Sequence, residues 1–83
     1  MVFECAFLIG ICTFVEGDGT GGDEKHIGFT LSEDECSLLV RKKEPSANGA
    51  TWSRNNKCFA EFRATGHDEH TCCKTCLFKG QLQ

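Results

Sequence analysis

The clearest periodic pattern of apolar positions lies just before Pro45, the single proline of the chain. Cys36, Leu39 and Val40 are spaced i, i+3 and i+4, which places them on one face of an α-helix. Proline disfavours helical backbone in the residue before it, so this helix should end one or two residues before Pro45. The pattern therefore predicts one amphipathic helix that turns Cys36 towards the core.

Polar residues mark both ends of the predicted helix. Ser32 and Glu35 have the spacing of a capping box, in which each side chain accepts a hydrogen bond from the backbone N–H of the other. Acidic residues at the start and basic residues at the end complement the helix dipole. These are Glu33 and Asp34 in the first turn and Arg41, Lys42 and Lys43 in the last. The helix should thus begin just after Ser32.

After the helix, alternating positions predict strands at residues 50–53 and 57–63. They flank a polar tripeptide, residues 54–56, that suits a hairpin turn. In the second strand, Cys58 shares one face with Ala60 and Phe62, so it could meet Cys36 across the core. A third short strand is predicted at residues 75–79. The expected fold class is α+β, with one helix packed on a small, mostly antiparallel sheet that disulfides staple.

Two segments precede the helix. Residues 1–15 contain one charge, Glu4, and their apolar run is too short to span a bilayer. The segment has neither the basic start nor the small-residue cleavage site of a secretory signal, so a buried strand is predicted, with a degenerate signal segment as the alternative. Residues 16–24 hold four glycines, and this density predicts a loop with positive-φ positions.

Composition narrows the class of protein. A chain of 83 residues has room for a single domain, 1–83, with a small core, and seven cysteines indicate a disulfide scaffold of an oxidising, secreted or extracellular environment. The net charge of −3 argues against nucleic-acid binding and against a cationic membrane-inserting peptide. Seven cysteines cannot all pair within one chain, so sequence alone does not fix the connectivity.

Charge is divided along the chain. Residues 16–35 contain seven acids and one lysine, whereas residues 36–63 contain six bases and two acids. An acidic and a basic surface would suit a polar partner or self-association, as a disulfide-linked or non-covalent homodimer.

The order of cysteines and elements resembles a compact PAN/apple-type module. The segments that carry this likeness are LSEDECSLLVRK (31–42), ATWSRNNKCFAEF (50–62) and TCLF (75–78), within a core of about 12–78. The resemblance implies that Cys36 pairs with Cys58, and that Cys76 pairs with Cys12 or Cys5. It also implies a non-enzymatic adhesion or recognition module that binds a protein or a carbohydrate.

The adjacent Cys72 and Cys73 are expected to seek different partners. A disulfide ordinarily joins Cα atoms more than about 4.4 Å apart, and neighbouring Cα atoms are about 3.8 Å apart. Cys5 is a candidate partner for one of them.

Two metal sites are conceivable. His67, His70, Cys73 and Cys76 are good zinc ligands within ten residues, and they define the alternative function, a small zinc-binding protein. The glycine-rich loop could bind calcium through four carboxylates while its glycines turn backbone carbonyls inward. Those carboxylates belong to Glu16, Asp18, Asp23 and Glu24.

No nucleophile and base occur in a recognisable catalytic arrangement, so we expect no enzyme activity. Trp52 is instead the natural stacking surface for a sugar ring or the anchor for a protein partner. Arg54 and Lys57 would flank it at the hairpin, with Arg63 farther along. These four residues are the predicted contact surface.

Overall fold

The predicted helix is present in the computed structural model, which describes residues 12–78. Helix α1 spans Glu33–Lys43, and the hydroxyl of Ser32 accepts from the backbone N–H of Glu35 at 3.2 Å. The Glu35 carboxylate accepts from the backbone N–H of Leu31 at 2.8 Å, one residue earlier than in a reciprocal capping box. Both predicted ends of the helix are confirmed.

Seven strands accompany α1 in the described part of the chain. They are β1 (Val15–Glu16), β2 (Gly19–Thr20), β3 (Asp23–Phe29), β4 (Gly49–Ser53), β5 (Lys57–Phe62), β6 (Gly66–His67) and β7 (Cys73–Leu77). Five form an antiparallel sheet in the order β1-β7-β4-β5-β3, and β2 pairs with β6 in a separate ribbon. Because α1 lies against β4 and β5, the α+β fold class is confirmed.

The strand predictions differ in how well they match. The hairpin of β4 and β5 lies where it was expected, around the turn at residues 54–56. Strand β7 begins at Cys73, two residues before the predicted start, and ends at Leu77. Residues 1–11 of the predicted buried strand lie outside the described residues. In the described part the prediction is wrong, because residues 12–14 are not in a strand and Val15, the first residue of β1, is exposed.

Strand β3 was not predicted, and the loop assigned to residues 16–24 was too long. Within that loop Gly17 and Gly21 do have positive φ, +125° and +94°. However, Glu16 ends β1, Gly19–Thr20 form β2, and Asp23 already starts a strand of seven residues. β3 is an edge strand with mostly exposed side chains, so it has little apolar alternation for a sequence pattern to reveal. β3 is held in a strand conformation by its backbone hydrogen bonds to β5.

The sheet buries different chemistry on its two faces. Beneath α1 the side chains are small and apolar, and Cys36, Val40, Ala50, Cys58 and Ala60 are fully buried. Part of the opposite face, over Glu61 and Thr75, is covered by residues 17–20 and 66–68, which include β2 and β6 and which we call the flap. Under the flap the sheet buries polar side chains, and these form one of the two candidate sites.

Three disulfides occur in the described residues: Cys12–Cys76, Cys36–Cys58 and Cys72–Cys73. The first two are pairings that the family resemblance implied. The third corrects the expectation that Cys72 and Cys73 bridge elsewhere, because their Cα atoms are 3.7 Å apart and their sulfurs are bonded. Neighbouring side chains of a strand point to opposite faces, but Cys72 lies in the turn before β7 and can turn towards Cys73. Cys5 lies outside the described residues.

Candidate functional site

A cleft of about 110 Å³ opens where the ends of β1 and β4, the start of α1 and the turn before β7 meet. It is lined by an indole, a disulfide and charged side chains of both signs. The lining residues are Glu16, Glu33, Trp52, Arg54, Thr71, Cys72, Cys73 and Lys74. Two of the four predicted contact residues, Trp52 and Arg54, therefore share one concave surface.

Trp52 is the tryptophan predicted to carry a ligand, and it is half-buried on β4. Its indole N–H donates to the carbonyl oxygen of Thr30 at 3.2 Å. This bond fixes the ring and uses its one polar hydrogen, so the ring surface is what the indole offers to the cleft.

Arg54 holds the turn that carries the Cys72–Cys73 bridge. Its guanidinium donates to the carbonyl oxygen of Thr71 at 3.1 Å, and its backbone N–H donates to that of Cys72, also at 3.1 Å. On the other side, the Lys74 ammonium lies 3.3 Å from the Glu33 carboxylate and connects β7 to the first turn of α1. These contacts set the width of the cleft.

The other two predicted contact residues lie elsewhere. Lys57 is the exposed first residue of β5, and Arg63 follows the opposite end of that strand in a left-handed conformation, φ +60°. Arg63 forms an exposed ion pair with Asp23 instead of facing the cleft. The four predicted contact residues therefore do not form one surface, because Lys57 and Arg63 lie at opposite ends of β5.

A second candidate site lies under the flap, where three carboxylates meet. One oxygen atom from each of Asp18, Glu24 and Glu61 lies within 4.8 Å of the others. Glu24 and Glu61 are directly opposite each other on β3 and β5. Asp18 and Glu24 belong to the predicted calcium set, but Glu16 lines the cleft and Asp23 pairs with Arg63, so the four do not converge.

Glu61 was missed by the sequence reasoning, although it is the most deeply buried acid described, at 2% exposure. Strand alternation placed it with Phe59 on the face away from α1, where a charged residue is ordinarily solvated. The flap covers that face, and a Cβ atom on Gly19 would lie 2.5 Å from the carboxyl carbon of Glu61. A side chain at position 19 would therefore have to displace this buried carboxyl group, on which the flap backbone rests.

Glu61 begins a chain of short contacts between oxygen atoms. Its Oε2 lies 2.6 Å from Oγ1 of Thr51, which lies 2.7 Å from Oγ1 of Thr75. Thr75 donates to the carbonyl oxygen of Gly17 at 2.8 Å, so the chain crosses β5, β4 and β7 and ends in the flap. Thr51 and Thr75 are each 1% exposed, so bulk solvent does not reach either hydroxyl group.

Burial raises the pKa of Glu61 to about 8, whereas a hydrogen bond donated by Thr51 would lower it. Glu24, through a hydrogen bond and its charge, and Asp18, through its charge, act in the same direction as burial. At the edge of the flap the opposite occurs. Asp68 accepts from the backbone N–H groups of Asp18 and His70, at 2.8 and 2.9 Å, and these bonds lower its pKa. The pKa values of these two carboxyl groups, one under the flap and one in it, are therefore shifted in opposite directions.

The predicted zinc ligands do not form a set. Cys73 is bonded to Cys72 and Cys76 to Cys12, so neither presents the thiolate that zinc requires. His67 contacts the carbonyl oxygen of Asp68 at 3.0 Å, and His70 lies 3.2 Å from the Asp68 carboxylate. Among residues 12–78, the acidic trio under the flap is the one convergent group of three or more potential ligand side chains.

Comparisons with protein-family models, with curated proteins and with solved structures found no match for this chain. Within residues 12–78, no helix has the length and apolar character needed to cross a membrane.

Proposed function

We propose that this protein is a non-enzymatic extracellular recognition module that binds one sugar ring of a glycan in the Trp52 cleft. The observation that carries the proposal is the composition of the cleft, which combines an indole surface with a disulfide and with acids and bases in equal number. Disulfide bonding of six cysteines supports an oxidising, extracellular setting.

The size of the cleft limits its ligand. Typical sites for drug-sized molecules enclose about 300 to 1,000 Å³, and this cleft encloses about 110 Å³. A single ring or a single side chain fits that volume, whereas an extended substrate does not. The cleft therefore suits the terminal unit of a larger molecule.

The charges favour a neutral, hydroxyl-rich ring. Glu16 and Glu33 supply acceptors, and Arg54 and Lys74 supply donors, so a hydroxyl group can find a partner of either kind. A ligand with a strong charge of one sign would meet two like charges in the same cleft. The face of a sugar ring can in addition stack on Trp52 and on the polarisable sulfur atoms of the Cys72–Cys73 bridge.

The experiment is a fluorescence titration, because Trp52 is the sole tryptophan and its emission reports directly on the cleft. The protein is screened on a glycan array, and the glycans retained are titrated against the wild type, Arg54→Ala and Arg63→Ala. We expect a saturable change in emission and a loss of about five- to tenfold in affinity for R54A. R63A, which removes another exposed arginine that lies outside the cleft, should bind like the wild type.

Two results would contradict the proposal. One is that no glycan alters the emission of Trp52. The other is that R54A and R63A weaken binding equally, which would place the contact surface along β5 and favour a protein partner.

A further inference from the structure

The contacts that link Glu61 to the flap can be compared with the number of hydrogen atoms available to make them. It contains three contacts between oxygen atoms, at 2.6, 2.7 and 2.8 Å, and each needs one hydrogen. A threonine hydroxyl has one hydrogen to donate, and a backbone carbonyl has none. The two threonines can therefore fill two of the three contacts.

The donor and the acceptor of each hydrogen bond can be assigned by starting from Gly17, at the flap end of the series. The Gly17 carbonyl can only accept, so it takes the hydrogen of Thr75. Thr75 must then accept from Thr51, which leaves Thr51 with no hydrogen for its contact with Glu61. Among the four groups that make these three contacts, the remaining one able to supply that hydrogen is the carboxyl group of Glu61.

We propose that Glu61 is protonated in the folded protein and that its proton acts as a latch, holding the flap on the sheet through Thr51 and Thr75 and releasing it as pH rises. With an ionised carboxylate, one of the three contacts would bring two oxygens together without a hydrogen between them. In a buried site that arrangement is costly, since the unpaired groups have no water to bind.

The surroundings of Glu61 favour the neutral form. The acids that face it are Glu24, opposite on β3, and Asp18 in the flap, and both oppose a second negative charge. On β6, His67 pairs with Gly19 but is exposed, with its ring directed to the Asp68 carbonyl. The basic groups on the packed strands do not face Glu61. Lys25 pairs with Glu44, Arg63 with Asp23 and Lys74 with Glu33, His26 packs against Phe59, and Lys57 is exposed at the far end of β5.

The hydrogen bonds that hold the flap are also connected to the cleft. Gly17, which receives the last hydrogen bond of the chain, donates its backbone N–H to the carbonyl oxygen of Cys73 at 2.8 Å. Glu16 precedes it and Cys73 carries the bridge, and both line the cleft. Loss of the proton should therefore loosen one wall of the cleft, although the latch itself is independent of any ligand.

The test is thermal unfolding of the whole protein at pH 5 to 9 in the presence of a divalent-cation chelator, for the wild type and Glu61→Gln. The pKa of Glu61 is raised on folding, so the folded state holds more protons than the unfolded state between about pH 4.5 and 8. Wild-type stability should fall across this window, with a rise of up to about tenfold in the unfolding constant per pH unit, and level off above it. E61Q should lack this dependence, because its amide donates to Thr51 at every pH.

Thr75→Val gives a second, independent measurement. Valine at position 75 cannot accept the hydroxyl hydrogen of Thr51, so Thr51 can donate it to an ionised Glu61. Because this bond stabilises the ionised form, the midpoint of the pH dependence should move to lower pH. Glu69→Gln, which neutralises an exposed glutamate in the loop before β7, is the matched control and should follow the wild type.

The outcomes are distinct. The proposal is supported if E61Q is more stable than the wild type at pH 8.5 and similar to it at pH 5. It is overturned if E61Q is no more stable than the wild type at pH 8.5, because an ionised Glu61 would then cost nothing relative to an amide that donates to Thr51. An unchanged midpoint in T75V would also overturn it, even if the variant is less stable overall.

Discussion

The three disulfides should contribute very unequally to stability, because the loops that they close differ greatly in length. The bonded cysteines are 64 residues apart in Cys12–Cys76, 22 apart in Cys36–Cys58 and adjacent in Cys72–Cys73. In the chain-entropy description, a cross-link stabilises the folded state by restricting the unfolded chain, and the gain rises with the logarithm of loop length. Pairwise replacement by alanine measures each contribution.

The expected losses of unfolding free energy follow from those separations. They are about 4 kcal/mol for Cys12→Ala with Cys76→Ala, about 3 kcal/mol for Cys36→Ala with Cys58→Ala, and below about 1 kcal/mol for Cys72→Ala with Cys73→Ala. A domain of this length has a total of roughly 4 to 12 kcal/mol. Loss of the longest bridge should thus leave the protein close to unfolding, and loss of the adjacent bridge should leave it folded.

Guanidinium unfolding at 25 °C, followed by far-ultraviolet circular dichroism, gives these free energies. Intact mass before and after reduction verifies that the other two bridges form in each variant. The reasoning is refuted if the variant without Cys72–Cys73 loses as much stability as the one without Cys36–Cys58. The adjacent bridge would then stabilise the folded state directly, through its contacts beside Trp52, and not through the unfolded chain.

Three further substitutions probe contacts that hold the elements together. Gly19→Ala places a methyl group 2.5 Å from the carboxyl carbon of Glu61 and should lower stability by about 2 kcal/mol; an unchanged melting temperature would mean that the flap does not rest on this carboxyl. Asn48→Ala removes a pair of hydrogen bonds to the backbone of Ala64, at 2.8 and 3.0 Å, and should cost about 2 kcal/mol in denaturant unfolding, whereas a loss below about 0.5 kcal/mol would show that water replaces both. Ser32→Ala removes the helix cap and should cost about 1 kcal/mol; equal stability of S32A and the wild type would count against a role for the cap.

The helix could be predicted from sequence because the rules that set its ends are local. Ser32 lies three residues from the N–H that it caps, and Pro45 acts on the residue beside it. The turn at residues 54–56 is local in the same sense, since Ser53 accepts bonds from its own turn, at the backbone N–H groups of Asn55 and Lys57. Such features depend on a few neighbouring side chains and need no knowledge of the sheet.

Strand β3 and the buried Glu61 could not be predicted in that way. β3 is ordered by its backbone pairing with β5, more than thirty residues away from its start, for instance Asp23 with Phe62. Glu61 is buried because the flap, held by the pairing of Gly19 with His67, covers a face that strand alternation alone would leave in water. In both cases the deciding contact joins segments far apart in the chain.

The disulfides also differ in whether local sequence could predict them. Helical spacing turned Cys36 inward and strand alternation did the same for Cys58, so their meeting could be anticipated from the two elements. The Cys72–Cys73 bridge could not be anticipated, because it depends on a turn to which Arg54, in the distant β4–β5 turn, is hydrogen-bonded.

By itself the sequence determined the α+β class, the bounds of α1, the hairpin and the cysteine-rich, disulfide-dependent character of the chain. Those properties follow from local spacing and composition. Tertiary structure alone decided that Trp52 meets a disulfide in a cleft, and that Glu61 lies beneath a flap with two acids beside it. The physical reason is that burial, and with it the protonation of a carboxyl group, depends on which distant segment covers a residue.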